Sequence, residues 1–111
     1  TYIIRIINQA KAIMKEDMVG NQALEDIASS LGISYSFFRR EFKRKCGISP
    51  GQFRLEQKLT KAKELLENTN MSIAEISSRL HFECIGQFST FFKKKMGVPP
   101  LEYRKRGIKK D

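Results

Sequence analysis

A chain of 111 residues is long enough for one small domain or two very small units, and its 41% hydrophobic content supports a folded core and argues against disorder. Lys and Arg outnumber Asp and Glu by 21 to 12, and the resulting +9 directs attention to polyanionic partners, either nucleic acid or an anionic membrane surface. No apolar run approaches the roughly 20 residues a membrane span needs. The two cysteines, Cys46 and Cys84, form no CxxC pair and no secretory signal is seen, so a cytoplasmic setting is expected.

The opening stretch TYIIRIINQAKAIMK spaces Ile3, Ile7, Ala10 and Met14 three to four apart and predicts a helix near 2–16. Because that pattern starts at Thr1, the chain is expected to be a piece of a longer protein. A second helix is predicted near 22–31, around LEDIASSL, and a third near 35–46 with Ser34 as its N-cap. Gly47 suits the left-handed residue that ends a helix, Ile48 the hydrophobic contact of such a stop, and Pro50 the first turn of the next helix.

That fourth helix, near 50–68, carries Phe53, Leu55, Leu59, Ala62, Leu65 and Leu66 at helical spacing. Ser72 and Glu75 have the S-x-x-E spacing of a capping box, which starts a fifth helix near 73–80. A sixth, near 85–96, ends at Gly97, and a seventh, near 100–106, begins at Pro100. No segment shows the period-two alternation of strands, so the fold class is all-α.

The chain repeats itself. FKRKCGISP, from Phe42, returns as FKKKMGVPP, from Phe92, and Phe38 to Arg54 matches Phe88 to Arg104 at seven of 17 positions. Upstream the offset is 49, with LEDIASSL over IAEISSRL, which implies a turn one residue longer in the second copy. Each copy reads as a short helix, a turn and a longer helix. The expected organisation is two such subdomains, 1–49 and 69–111, joined by the long helix 50–68.

Within each longer helix one stripe is apolar, Phe38, Phe42 and Cys46 in the first and Phe88, Phe92 and Met96 in the second, and such a stripe belongs to a core. Opposite the first stripe stand Ser36, Arg39, Arg40 and Lys43, a face turned to solvent. Fourteen of the 21 basic residues lie in Phe37 to Arg54 and Lys93 to Lys110, against two acids, Glu41 and Glu102, so the positive charge belongs to the repeat. A helix of this kind fits the major groove, where Arg bonds guanine through two acceptors and Lys or backbone amides hold phosphate. The connector of about 19 residues would be roughly 28 Å long, comparable to the ~34 Å between successive major-groove faces.

These residues resemble the DNA-binding domain of the AraC/XylS family of bacterial transcription regulators. The resemblance covers most of the chain and is most specific in IAEISSRLHFECIGQFSTFFKKKMGVPPLEYR, Ile73 to Arg104. It implies seven helices with two helix-turn-helix units joined by a long one, and double-stranded promoter DNA as the partner. It also implies RNA polymerase as a further partner and an effector or dimerisation domain outside this piece.

Carried over residue by residue, the resemblance implies base reading by Ser36, Phe37, Arg39 and Arg40 in the first head and by Ile85, Gly86, Gln87 and Thr90 in the second. Phosphate contacts fall to Ser34, Lys43, Arg44, Lys93 and Lys94. The sequence departs from the family pattern at His81, where Gly is usual before Phe82, at Cys84, where an N-cap Asp or Ser is typical, at the early Gly86, and at Thr90, a place often held by Arg. The first head is therefore expected to carry most of the specificity.

Other chemistries fit poorly. His81, Cys46 and Cys84 show none of the spacings of structural zinc, and one histidine without a phosphate loop or nucleophile elbow gives no basis for an enzyme or a cofactor. A DNA binder without sequence preference and a helical module that docks proteins stay open at this level. Binding that falls steeply with salt but varies little with sequence would mark the first of these.

Overall fold

A computed structural model describes residues 1–17 and 22–109 of the chain. Among them it forms seven helices and no strand: α1 (Tyr2–Glu16), α2 (Leu24–Ser30), α3 (Tyr35–Cys46), α4 (Pro50–Asn68), α5 (Ile73–Arg79), α6 (Ile85–Met96) and α7 (Pro100–Lys109). Every expected helix is present. The second is shorter than the expected 22–31, because Ala23 is extended at its start and Leu31 has left helical geometry on the way into the turn at Gly32. The fifth ends one residue earlier than expected, at Arg79. The last runs past the expected 106 to Lys109, since a lone Gly107 costs a helix only about 1 kcal/mol and does not by itself stop it.

The helix ends follow local chemistry. Ser34 Oγ accepts from the Phe37 amide at 3.2 Å, and Ser72 with Glu75 closes a full capping box, both bonds at 3.0 Å. Gly47 and Gly97 both sit at φ 83°, the left-handed conformation that only glycine adopts without cost, and their amides close on the carbonyls of Lys43 and Lys93 at 2.8 and 2.7 Å. Pro50 and Pro100 open α4 and α7, where a missing N–H is no loss.

The described residues gather into two compact units, Thr1–Lys58 and the part from Leu59 onward, and the boundary falls inside α4. In the first unit Phe38 and Phe42 are fully buried among Ile7, Ala10, Met14, Ile27 and Ala28, and Phe53 from the start of α4 packs edge-on against Phe42 at 5.4 Å. In the second, Phe88 and Phe92 are fully buried among Ala62, Leu66, Ile76 and Leu80, and Tyr103 meets Phe92 edge-on at 5.3 Å. Phe53 and Tyr103 occupy corresponding positions of the repeat, so both cores are built to one plan. Each fully buried Phe contributes about 1.5–3 kcal/mol of burial free energy.

Candidate nucleic-acid interface

With Phe38 and Phe42 pinned inward, the rest of α3 has no choice of face. Ser36, Arg39, Arg40 and Lys43 are exposed on its outer side, and Ser34 is exposed at its N-cap. Phe37 is half-buried and lies under the Arg40 guanidinium, 5.6 Å from ring centroid to charge, a cation–π arrangement. Arg44 is exposed too, but it is not free: its Nη1 lies 3.7 Å from Glu41 Oε2, and Arg40 Nε lies 3.6 Å from the same oxygen.

Helix α6 repeats the arrangement with different chemistry. Ile85, Gly86, Gln87, Thr90, Lys93 and Lys94 are all exposed. Its N-cap is Cys84, whose Sγ accepts from the Gln87 amide at 3.4 Å, while Gln87 Oε1 accepts from the Glu83 amide at 2.7 Å. Sulfur thus takes the place of the usual hydroxyl at the N-cap, and Gln87 reaches back one residue beyond the cap to the Glu83 amide instead of closing a capping box on Cys84. A two-bond contact to adenine uses both the oxygen and the nitrogen of a Gln side chain, and at Gln87 the oxygen, which has two lone pairs, would be shared with the Glu83 amide.

The turns before α3 and α6 also differ. In the first unit Gly32 takes φ 74°, and the Ile33 amide returns to the Ala28 carbonyl at 3.2 Å. In the second, His81 takes φ 61°, and the Phe82 amide returns to the Ser77 carbonyl at 3.0 Å. His81 is the residue whose side chain makes that conformation costly, as the departure from Gly implied. The buried Ser77 hydroxyl donates to the Cys84 carbonyl at 3.1 Å and ties down the longer turn.

Two arginines of the basic repeat do not belong to a DNA face. Arg54, its side chain 14% exposed, lies 3.7 Å from Asp17 at the end of α1, and burial pushes its guanidinium below its ordinary range while Asp17 acts in the opposite sense. Arg104 donates to the carbonyls of Leu66, Leu65 and Thr69 at 3.1, 3.4 and 3.3 Å, at the C-terminal end of α4. Both occupy one position of the repeat and secure the end of the first helix of their own unit, where a cation suits the helix dipole. Counting them with the surface lysines overstated the charge available to a polyanion.

Sequence reasoning also passed over Glu41, which is 5% exposed and buried on the apolar stripe of α3. The signal was present, since Glu41 stands three residues after Phe38 and next to Phe42, and its counterpart in the repeat is Phe91. Among the described residues, no group of three or more His, Cys, Asp or Glu gathers to hold a metal ion, and no helix is long and apolar enough to cross a membrane.

Comparison with known proteins matches residues 27–106 to a helix-turn-helix domain family. The Msm operon regulatory protein of Streptococcus mutans is 32% identical over 99 residues, 89% of this chain and 36% of that protein. The chain spans about a third of the length of the curated relatives it matches. Among solved structures, an AraC-type DNA-binding-domain regulator from Chromobacterium violaceum superposes with a TM-score of 0.85 at 27% identity, covering 93% of this chain and 92% of that one. The DNA-binding domain of the global transcriptional factor AdpA, solved with a target DNA, superposes with a TM-score of 0.83 at 25% identity, covering 90% of each chain.

Proposed function

The chain belongs to the AraC/XylS family of helix-turn-helix transcription regulators, and we propose that it reads double-stranded promoter DNA with α3 and α6 in successive major-groove segments. The observation that carries this reading is the duplicated arrangement of a fully buried Phe pair beneath an exposed polar face, Phe38 and Phe42 under Ser36, Arg39 and Arg40, and Phe88 and Phe92 under Gln87 and Thr90. A helix whose apolar stripe is spent on its own core can present only its polar face. The likeness to the AdpA domain solved with DNA supports the same reading.

In this reading Arg39 and Arg40 supply the strongest base contacts, each two-bond contact to guanine being worth about 1–3 kcal/mol of discrimination. Ser36 and Phe37 complete the first reading face. Ile85, Gly86, Gln87 and Thr90 form the second, which acts more through shape and backbone approach. Ser34, Lys43, Arg44, Lys93 and Lys94 meet phosphate, with the helix N-terminal amides.

The chain acts by binding and not by catalysis, in the cytoplasm of a bacterium, as part of a longer regulator whose remaining domain senses an effector or dimerises. RNA polymerase at the promoter is the machinery it serves. Selection of bound duplexes from a random pool, repeated for Arg40→Ala and Gln87→Ala, tests the assignment. Arg40→Ala is expected to flatten one base preference strongly and Gln87→Ala weakly; a larger loss from Gln87→Ala overturns the division of labour. A salt titration on selected and random duplexes tests specificity itself, since equal affinities at every salt concentration would leave only an architectural binder.

A further inference from the structure

Glu41 sits where stability alone would place an apolar side chain. Its carboxylate is 6% exposed, its Oε1 is buried without a hydrogen-bond partner, and its counterpart Phe91 fills the same place in α6 by packing on Phe82 at 5.4 Å. A carboxylate taken out of water is costly unless well paired, and the two arginines it faces are each 67% exposed, so their attraction returns little of that cost. The arrangement costs stability where an apolar side chain such as Phe91 would not.

Its carboxylate lies beside Arg40. The carboxylate stands 3.6 Å from Nε, on one edge of the guanidinium, while the Phe37 ring lies 5.6 Å away. With the Nε edge turned to Glu41, the two Nη amino groups remain for a partner, and they form the fork that meets O6 and N7 of guanine end-on. A long arginine that is already oriented loses less side-chain freedom on binding. We infer that Glu41 is a positioning residue for base recognition, a buried carboxylate that fixes Arg40 in its reading geometry and steadies Arg44 beside it. The inference rests on the proposed base-reading role of Arg40.

The test uses the whole 111-residue chain, a random-sequence duplex pool and one fixed random duplex. In Glu41→Gln the affinity ratio of selected to random duplex falls about fivefold to tenfold, toward the lower end of one two-bond contact. Affinity for the random duplex stays equal or rises, because one negative charge beside the basic side chains of α3 is gone. Glu41→Leu loses the same selectivity with a thermal midpoint equal to or above that of the unaltered chain, an outcome a purely structural role would not give. In an Arg40→Ala background, Glu41→Gln lowers the ratio no further.

An unchanged ratio in Glu41→Gln overturns the inference, as does an undiminished loss in the Arg40→Ala background. A fall in selected affinity, random affinity and thermal midpoint together overturns it too. If Arg40→Ala itself leaves selectivity intact, the base-reading role of Arg40 fails and the inference with it. Loss in Arg40→Ala without loss in Glu41→Gln sinks the inference alone.

Discussion

The first unit turns from α2 into α3 through Leu31, Gly32, Ile33 and Ser34, with glycine in the left-handed position and an oxygen cap on α3. The second makes the same passage from α5 to α6 through Leu80, His81, Phe82, Glu83 and Cys84, one residue longer, with a side chain in the left-handed position and a sulfur cap. Beneath these turns the cores are matched, with Phe38 and Phe88, Phe42 and Phe92, and Phe53 and Tyr103 in corresponding places. Packing tolerates little change in volume or direction, so the duplicated core is kept alike. A solvent-facing turn tolerates much more, and there the two copies have diverged.

The comparison predicts its own largest effect in the cores. Phe42→Ala and Phe92→Ala should each destabilise their unit by about 3–5 kcal/mol, the cost of removing a fully buried aromatic ring. Denaturant unfolding followed by circular dichroism would measure both. A near-neutral result for either variant would break the claim that the cores share one plan.

The left-handed positions come next. A Cβ at Gly32 would meet no atom within 4 Å, so the cost of Gly32→Ala is purely conformational, about 1–2 kcal/mol. The reverse change, His81→Gly, relieves strain at φ 61° but adds unfolded-state freedom, and should stabilise by about 1 kcal/mol or less. Thermal unfolding of the pair would show opposite signs. Shifts of the same sign would mean that His81 makes contacts beyond its backbone that outweigh the strain.

These results also show which features could be read directly from the residues. The glycine stops, the proline starts, the Ser72–Glu75 box and the longer second turn were all legible, because each is a local arrangement of neighbouring residues. Glu41, Arg54 and Arg104 were not, although each carried a trace. Glu41 fell on the apolar stripe by spacing, and both arginines directly follow the aromatic that packs on the reading helix. What concealed them was their charge, since in a chain at +9 an Arg or a Glu is read first as surface. Asp17 and the carbonyls of Leu65, Leu66 and Thr69 are the partners that draw the arginines inward, and they lie more than 30 residues away in sequence. The bond from the Glu83 amide to Gln87 was not legible, because it reaches one residue beyond the N-cap and follows no capping-box spacing.

The caps give a smaller and cleaner contrast. Ser34→Ala removes an oxygen acceptor from the Phe37 amide and should cost about 1 kcal/mol, whereas Cys84→Ala removes a weak sulfur acceptor at 3.4 Å and should cost a few tenths. Cys84→Ser should then raise the thermal midpoint of the second unit. If Cys84→Ala costs as much as Ser34→Ala, the sulfur cap is as firm as the oxygen one and the asymmetry of α3 and α6 lies elsewhere.

The smallest effect separates the two aromatics that otherwise match. Phe53 has no ionisable group, but the Tyr103 hydroxyl donates to the Glu67 carboxylate, and burial first, then that bond and the nearby negative charge, push the tyrosine up to about 12. A group whose acid form is favoured by folding stabilises the native state fully below its unfolded pKa, here near 10. That stabilisation is lost as pH rises through the folded value. The second unit should therefore weaken between about pH 10 and pH 12 by an amount held under about 1 kcal/mol by solvent around Glu67, while the Phe53 position contributes nothing in that window. Unfolding midpoints of the unaltered chain and of Tyr103→Phe, compared from pH 9 to pH 12, isolate the difference. The two curves should converge as the tyrosine ionises. Parallel curves across the window would mean that neither burial nor the bond to Glu67 raises the tyrosine in solution, leaving Tyr103 to act in its core much as Phe53 does in the other.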